Sequence, residues 1–493
     1  MTRRSNVLFI FSDQHRHDVM GCAGHSTIRT PNLDALAKRG RRYTKAWCQS
    51  PICQPSRASL ITGRHPYDLG VFYNDASSAT HASTDIDEAG EISPEWPTFM
   101  KQLQSVGYET ATVGKTHYHG IPTRDDVKAA GGPIDFAERY DSLVQQFGWN
   151  HVDEEYDKYV HSARAFQTPY TKYLEEQGLW QEYREQIRSV FRLTPTHWRG
   201  ATSVVPQEHD LTTFLANRSI EWLNQRDQSK PFLLKLAFVQ PHVPLIDDPT
   251  WAAYYADADI DVPDLTPPEA TSKEWAHYLG LLAGHSQRNT MTEEFVREGI
   301  RHYFGMVSLI DQQIGAVIAA LEARGELDNT WIIYSCDHGE MLGTHGLWAK
   351  MNFYQGSAQV PLIIVPPGGG TGGQHDGARG IVDDSVVELT DVAATITDIA
   401  GVAPPSGCRG RSLLPEFKGQ TGTGREFAYS RIQSYAALRT DQFRFTLDMH
   451  SGVPCELFDL SEDPAETTNL VNDGARTSLV NEFKGALIDL QQL

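Results

Sequence analysis

Five short apolar runs punctuate the chain, at residues 6–11, 108–113, 231–239, 330–335 and 360–365. Each is continuous rather than alternating and rich in β-branched or aromatic side chains. That is the pattern of strands covered on both faces. Between them, apolar positions recur with a helical period. Pro31–Arg39 is one such stretch, with its proline in the first turn; residues 96–106, 212–225 and 293–324 are others. Strand and helix in alternation predict an α/β sandwich, with a large, mostly parallel mixed sheet between helices.

Residues 120–230 break this rhythm. They are rich in Tyr, Trp, Glu and Arg, and they read as a helical or loop insertion over the active face. Residues 403–407, Ala-Pro-Pro-Ser-Gly, read as a linker. They divide the chain into an α/β catalytic domain at 1–405 and a small C-terminal α+β domain at 406–493. The second has strand candidates at 443–448 and 456–459 and a helix from about 475. The glycine cluster 368–373 lacks the Lys-Ser/Thr of a phosphate loop and reads as a surface loop.

Composition narrows the function. A net charge of -20 over 493 residues argues against nucleic acid or an anionic membrane as partner. It leaves a small anionic substrate open, because a metal and a few cations dominate a local site. The six cysteines have no metal-finger spacing, and all except Cys53 read as buried free thiols. The run at 6–11 is short for a secretory signal, and Asp13 follows at once. No run reaches the ~18 apolar residues of a membrane span. A cytoplasmic, reduced setting is expected, and a homo-oligomer is allowed.

Polar residues collect just after the strand candidates. Asp13 and Gln14 follow the first, Lys115 and His117 the second, His242 the third and Asp337-His338-Gly339-Glu340 the fourth. In parallel α/β sheets, sites form outside the carboxyl ends of the strands, so these residues converge on one edge. Asp13, Asp337 and the Gln14 amide offer oxygen ligands for a hard divalent cation, and His338 adds a nitrogen. Arg57 lies four residues after Cys53, so a helix would place both on one face.

Cys53-Gln-Pro-Ser-Arg57, followed by Thr62-Gly-Arg64, resembles the maturation signature of the type I, formylglycine-dependent sulfatases of the alkaline phosphatase superfamily. The likeness extends through Ser12-Asp13-Gln14, Gly114-Lys115-Thr116-His117, Pro241-His242, Asp337-His338-Gly339, Lys350 and the closing pattern from Leu457 to Leu470. It implies an alkaline phosphatase-like fold and an enzyme that hydrolyses a small anionic sulfate ester. Cys53 would be oxidised to formylglycine by a maturing enzyme, and its hydrate would attack sulfur. The metal would be Ca²⁺, the common choice in the family, with Mn²⁺ also admitted by His338. Arg57 would hold the nucleophile, and Lys115 and Lys350 the sulfate oxygens. His117 and His242 are the candidate proton donors to the leaving oxygen. Asn74 and His345 are the candidate substrate contacts. Gln14 and His338, where many arylsulfatases have Asp and Asn, look more like choline sulfatases and phosphonate monoester hydrolases. Phosphonate monoester or phosphodiester hydrolysis by the same nucleophile is therefore the alternative. His15 and His17 read as solvated loop histidines and His119 as structural. Trp149 and Tyr73 read as core residues or as a cage for a quaternary ammonium.

Overall fold

All five apolar runs are strands of one eight-stranded sheet: β1 (Asn6–Ser12), β2 (Arg41–Trp47), β3 (Glu109–Gly114), β4 (His151–Glu154), β5 (Phe232–Ala237), β6 (Thr330–Cys336), β7 (Gln359–Val365) and β8 (Ile381–Glu388). The computed structural model describes residues 4–74, 92–192, 196–267, 269, 272–286, 288–368, 379–420 and 424–491. Their order across the sheet is β8-β2-β7-β6-β1-β5-β3-β4. All are mutually parallel except β7, which runs against both β6 and β2. β1 sits at the centre, with Val7 opposite Trp331 of β6 and Leu233 of β5.

The continuous apolar pattern of β1 has a direct cause. Val7, Phe9 and Phe11 enter one core layer, and Leu8 and Ile10 enter the other. The first layer is covered by α2 (Cys53–Thr62) and α5 (Thr390–Ala400), through Leu60, Ile61, Val392 and Ile396. The second is covered by α1 (Pro31–Arg39), α3 (Leu211–Gln225) and α4 (Glu293–Ala323), through Leu33, Leu215 and Ile310. A strand buried on both faces cannot alternate. The helix expected at 96–106 forms only over Phe99–Gln104, where the Thr98 hydroxyl accepts from the Lys101 amide and fixes the start.

Three strands of the eight-stranded sheet carry no such apolar run, and in the C-terminal part the strands at Phe427–Ile432 and Tyr435–Thr440 are likewise not predicted. β2 reads Arg-Arg-Tyr-Thr-Lys-Ala-Trp and β8 reads Ile-Val-Asp-Asp-Ser-Val-Val-Glu; both are half-buried over much of their length, so neither shows a continuous apolar run. β4 has four residues and lies inside the segment expected to be an insertion. Residues 120–230 are therefore not a mere insertion. They supply an edge strand of the main sheet and, in α3, a helix of its second core layer.

The C-terminal part is α+β, as expected. Strands β9 (Phe427–Ile432), β10 (Tyr435–Thr440), β11 (Phe443–Asp448) and β12 (Pro454–Asp459) form an antiparallel sheet. α6 (Thr477–Leu490) packs Phe483 and Leu487 against Leu438, Phe445 and Leu457. Among the described residues one helix, α4, is long and apolar enough to cross a bilayer, and 67% of that stretch is buried inside the protein. Cys48, Cys53, Cys336 and Cys455 are buried thiols outside any disulfide, but Cys22 and Cys408 are only half-buried. Gly369–Gly373 of the glycine cluster lie outside the described residues.

Candidate active site

Parallel strands deliver their following residues to one edge of the sheet. β1 delivers Asp13 and Gln14, β3 Lys115 and His117, β6 Asp337 and His338, and the loop after β5 delivers His242. Gly114 makes one of these turns feasible. Its φ is +94°, and a Cβ there would lie 2.0 Å from the Ala237 carbonyl oxygen. Only glycine tolerates both. Cys53 is the first residue of α2, where the helix dipole favours negative charge. All ten residues of α2 are buried.

Arg57 ties the cluster together. Its Nε donates to Asp337 Oδ2 at 2.9 Å, one terminal nitrogen donates to Asp13 Oδ2 at 3.1 Å, and the other to the Lys115 carbonyl at 2.7 Å. Lys115 Nζ lies 2.6 Å from Asp13 Oδ2 and 2.5 Å from Asp157 Oδ2. His242 Nδ1 lies 3.4 Å from Asp157 Oδ1. Lys350 donates to the Gln14 amide oxygen, and the Gln14 amide nitrogen donates to Glu340. The Ser56 hydroxyl donates to the Asp337 carbonyl at 2.6 Å.

One atom from each of Asp13, Cys53, Asp337 and His338 lies within 4.8 Å of the other three. The donors fit a cation. Asp13 Oδ1 is buried with no hydrogen-bond partner among the described residues. His338 Nδ1 donates to the Gly339 carbonyl at 3.0 Å, so the lone pair of the neutral ring is on Nε2, 3.2 Å from Cys53 Sγ. Burial pushes His338 down to about 4, which keeps the ring neutral and able to ligate.

The two proton-transfer candidates are held in opposite states. Burial lowers His117, and Lys115 and Arg57 lower it further. It is a neutral imidazole, and neither ring nitrogen has a hydrogen-bond partner among the described residues. Burial also opposes charge on His242, but Asp157 outweighs it and raises His242 above its ordinary value. His242 therefore suits proton donation; His117 does not, which corrects the expectation that both are donors. Burial opposes charge on Asp13 too, yet Lys115, His242, Arg57 and Lys350 hold it well below the usual carboxylate range.

Asp13, Gln14, Cys53, Arg57, Lys115, His242, Asp337, His338 and Lys350 are thus linked by direct contacts, and burial of His117 beside Lys115 and Arg57 adds it to the group. Arg57 bonds the two carboxylates directly and also faces Cys53. Asn74 borders the group: its Oδ1 accepts from the Gln54 amide at 3.0 Å, beside Cys53. His345 does not join it. At φ +59°, its ring packs 4.7 Å from Tyr354, and its charged neighbours are Glu466, Arg444 and Glu456.

Other expectations also change. His15 is not solvated; it accepts from the Tyr334 hydroxyl and donates to the Val19 carbonyl at 3.0 Å, fully buried. His17 is half-buried. His119 is structural, stacked 3.5 Å from Tyr140 with its Nε2 2.8 Å from Glu154. Trp149 and Tyr73 are buried in different core clusters and form no cage together. Two residues were missed as participants. Glu340, at the end of the Asp337-His338-Gly339-Glu340 run, anchors Gln14. Asp157 follows β4 just as Asp13 follows β1, but a four-residue strand gave no signal to place it.

The family model described as Sulfatase matches residues 5–402, and that described as N-sulphoglucosamine sulphohydrolase, C-terminal, matches residues 343–493. An arylsulfatase of Clostridium perfringens is 28% identical over 98% of this chain and 95% of its own length. A choline-sulfatase of Rhizobium meliloti is 29% identical over 96% of this chain and 83% of its own. The fold matches that of the phosphonate monoester hydrolase of Agrobacterium radiobacter with a TM-score of 0.77, at 23% identity, over 99% of this chain and 96% of that one. With that match over most of its length, the chain belongs to the sulfatase family and is a sulfuric ester hydrolase.

Proposed function

We propose that the enzyme cleaves a small sulfate monoester with Cys53, matured to formylglycine by a separate maturing enzyme, beside one divalent cation. Asp13, Asp337, His338 and the Gln14 amide oxygen would hold the cation, Ca²⁺ by preference with Mn²⁺ admitted by the imidazole. The observation that carries this reading is the grouping of Asp13, Cys53, Asp337 and His338 within 4.8 Å of one another, at the end of a buried helix. When bound, the cation would neutralise a sulfate oxygen and favour the ionised nucleophile.

The chain's own groups do the rest. Lys115 and Lys350 bring positive charge to the anion. His242, whose affinity for its proton is raised by Asp157, gives that proton to the leaving oxygen. His117, kept neutral by burial and further by Lys115 and Arg57, accepts a hydrogen bond from the nucleophile. Arg57 holds the two metal-binding carboxylates apart from each other's charge. Asn74 borders the mouth of the site.

Gln14 and His338 also suit a phosphonate monoester or phosphodiester hydrolase using the same nucleophile. Both substrate types carry one negative charge, so charge does not separate them. The test is a panel of choline sulfate, 4-nitrophenyl sulfate, sugar sulfates and a 4-nitrophenyl phosphonate monoester, compared by kcat/KM. The sulfates are expected to lead. A phosphonate value above that of every sulfate would replace the sulfate reading with its alternative.

A further inference from the structure

Beyond β4 the chain runs through Glu155, Tyr156, Asp157 and Lys158, all buried at 2% exposure or less. Two neighbouring residues of opposite charge rarely enter an interior together without partners. Here each has its own. Asp157 receives the Lys115 ammonium on one oxygen and faces His242 Nδ1 with the other. Lys158 Nζ donates to the Pro244 carbonyl at 2.7 Å and lies 3.6 Å from Met306 Sδ. Asp157 and Lys158 therefore grip the loop after β5 at two points, a side chain at His242 and a carbonyl at Pro244.

Other bonds hold the loop at its two ends: the Phe238 amide donates to the Phe11 carbonyl at 2.8 Å, the Thr212 hydroxyl donates to the Gln240 side-chain oxygen at 2.6 Å, and the Leu245 carbonyl accepts from the Ala201 amide at 2.9 Å. The Gln240 carbonyl accepts from the Asp13 amide at 3.4 Å, and the His242 amide donates to Val239 at 3.2 Å. The His242 ring places Nδ1 2.9 Å from the Val243 carbonyl and 3.4 Å from Asp157, so Nδ1 carries a proton facing acceptors and Nε2 is the nitrogen left for chemistry. Burial brings Lys158 down to about 8, so its bond to a carbonyl survives loss of the charge.

We propose that Asp157 and Lys158 are positioning residues for the leaving-group proton: Asp157 sets the His242 ring, and Lys158 fixes the loop backbone that carries His242. The proposal rests on the reading of the site as an ester hydrolase with His242 as its acid, whichever anion is transferred.

The test compares Asp157→Asn and Lys158→Met with the parent enzyme on two esters of one anion, 4-nitrophenyl sulfate and an alkyl sulfate. A general acid matters when the leaving group is poor and little when it is good. Asp157→Asn should lower kcat on the alkyl ester by about 100-fold or more and on the nitrophenyl ester by less than about 10-fold, with KM changed by less than about 3-fold. Lys158→Met should repeat the pattern with smaller losses. In a His242→Ala background, Asp157→Asn should cost less than about 3-fold further on the alkyl ester, because both act through one proton. Equal losses on the two esters, or a full multiplicative loss in that background, would overturn the proposal. If Asp157→Asn does not accumulate as folded protein, Lys158→Met decides the matter on the same esters. If the parent turns over phosphonates and no sulfate, aryl and alkyl phosphonate esters replace the pair. Failure of the sulfate reading is then visible in the parent, and failure of the clamp in the variants.

Discussion

Replacing Arg57 by Met removes the guanidinium set between Asp13 and Asp337, and the consequence follows from the geometry. Its ion pairs span 2.9 and 3.1 Å, and all three side chains are fully buried. At an effective dielectric of about 20 their gross attractions are about 6 and about 5 kcal/mol. Desolvating the three charges cancels much of that, and removing one partner from a buried pair leaves a net loss of about 3–5 kcal/mol. The Lys115 carbonyl also loses a donor, within that range. Set against a typical total of about 5–15 kcal/mol, the loss is large. The assay is urea unfolding followed by tryptophan fluorescence, first with a chelator and then with Ca²⁺ at about 100 times the parent Kd. The parent should gain about 2.7 kcal/mol from the metal. Arg57→Met should gain more at the same concentration, because two carboxylates freed from a guanidinium bind a cation more tightly. A loss below about 1 kcal/mol in chelator would show that Arg57 does not hold these carboxylates in the way described. Equal gains from metal in the two proteins would show that Asp13 and Asp337 are not the cation's ligands.

Three further outcomes are expected. Peptide mass spectrometry of protein made with a maturation system should find the Cys53 peptide lighter by about 18 Da, sulfur exchanged for oxygen with loss of two hydrogens; a fully active sample carrying only cysteine would refute this, and Cys53→Ala should fold without turnover. Asp337→Ala should lose bound divalent metal and activity together, read by elemental analysis and kinetics, whereas stoichiometric metal in an Asp13→Ala/Asp337→Ala protein would move the site elsewhere. Burial holds His15 down to about 4, so between that pH and about 6.5 the unfolded chain binds the extra proton. Stability should therefore fall as the pH drops from 6.5, with His15 contributing up to about 1.4 kcal/mol per pH unit; urea midpoints from pH 4.5 to 7 should show a shallower slope in His15→Gln, and an unchanged slope would mean that the ring is solvated.

The centre of the sheet and most of the chemistry are legible in local stretches of the chain. β1, β5, β6 and β7 are legible because a strand buried on both faces is mostly apolar, which is a local property, and β3 shows the same signal more weakly because it buries Thr110 and Thr112. The residues that follow them are legible for the same reason, and Cys53 and Arg57 fall on one face of α2 by helical spacing alone. Tertiary structure decided the rest. β2 and β8 carry charges on partly exposed faces, and β4 is too short for any period to show, so only their pairing reveals them. Asp157 stayed hidden with β4, although it holds Lys115 and His242. Arg57 faces Cys53 as expected and also pairs with the two carboxylates, because Asp13 and Asp337 come from strands 324 residues apart in sequence that the sheet makes neighbours. Burial inverted two further readings: His15 is enclosed by Tyr334 and Val19, and His345 turns towards Tyr354 at a left-handed residue. A side chain's type and spacing fix what it can do. Which charges face it, and whether water reaches it, depend on chain segments far away in sequence, and those are set only when the layers pack.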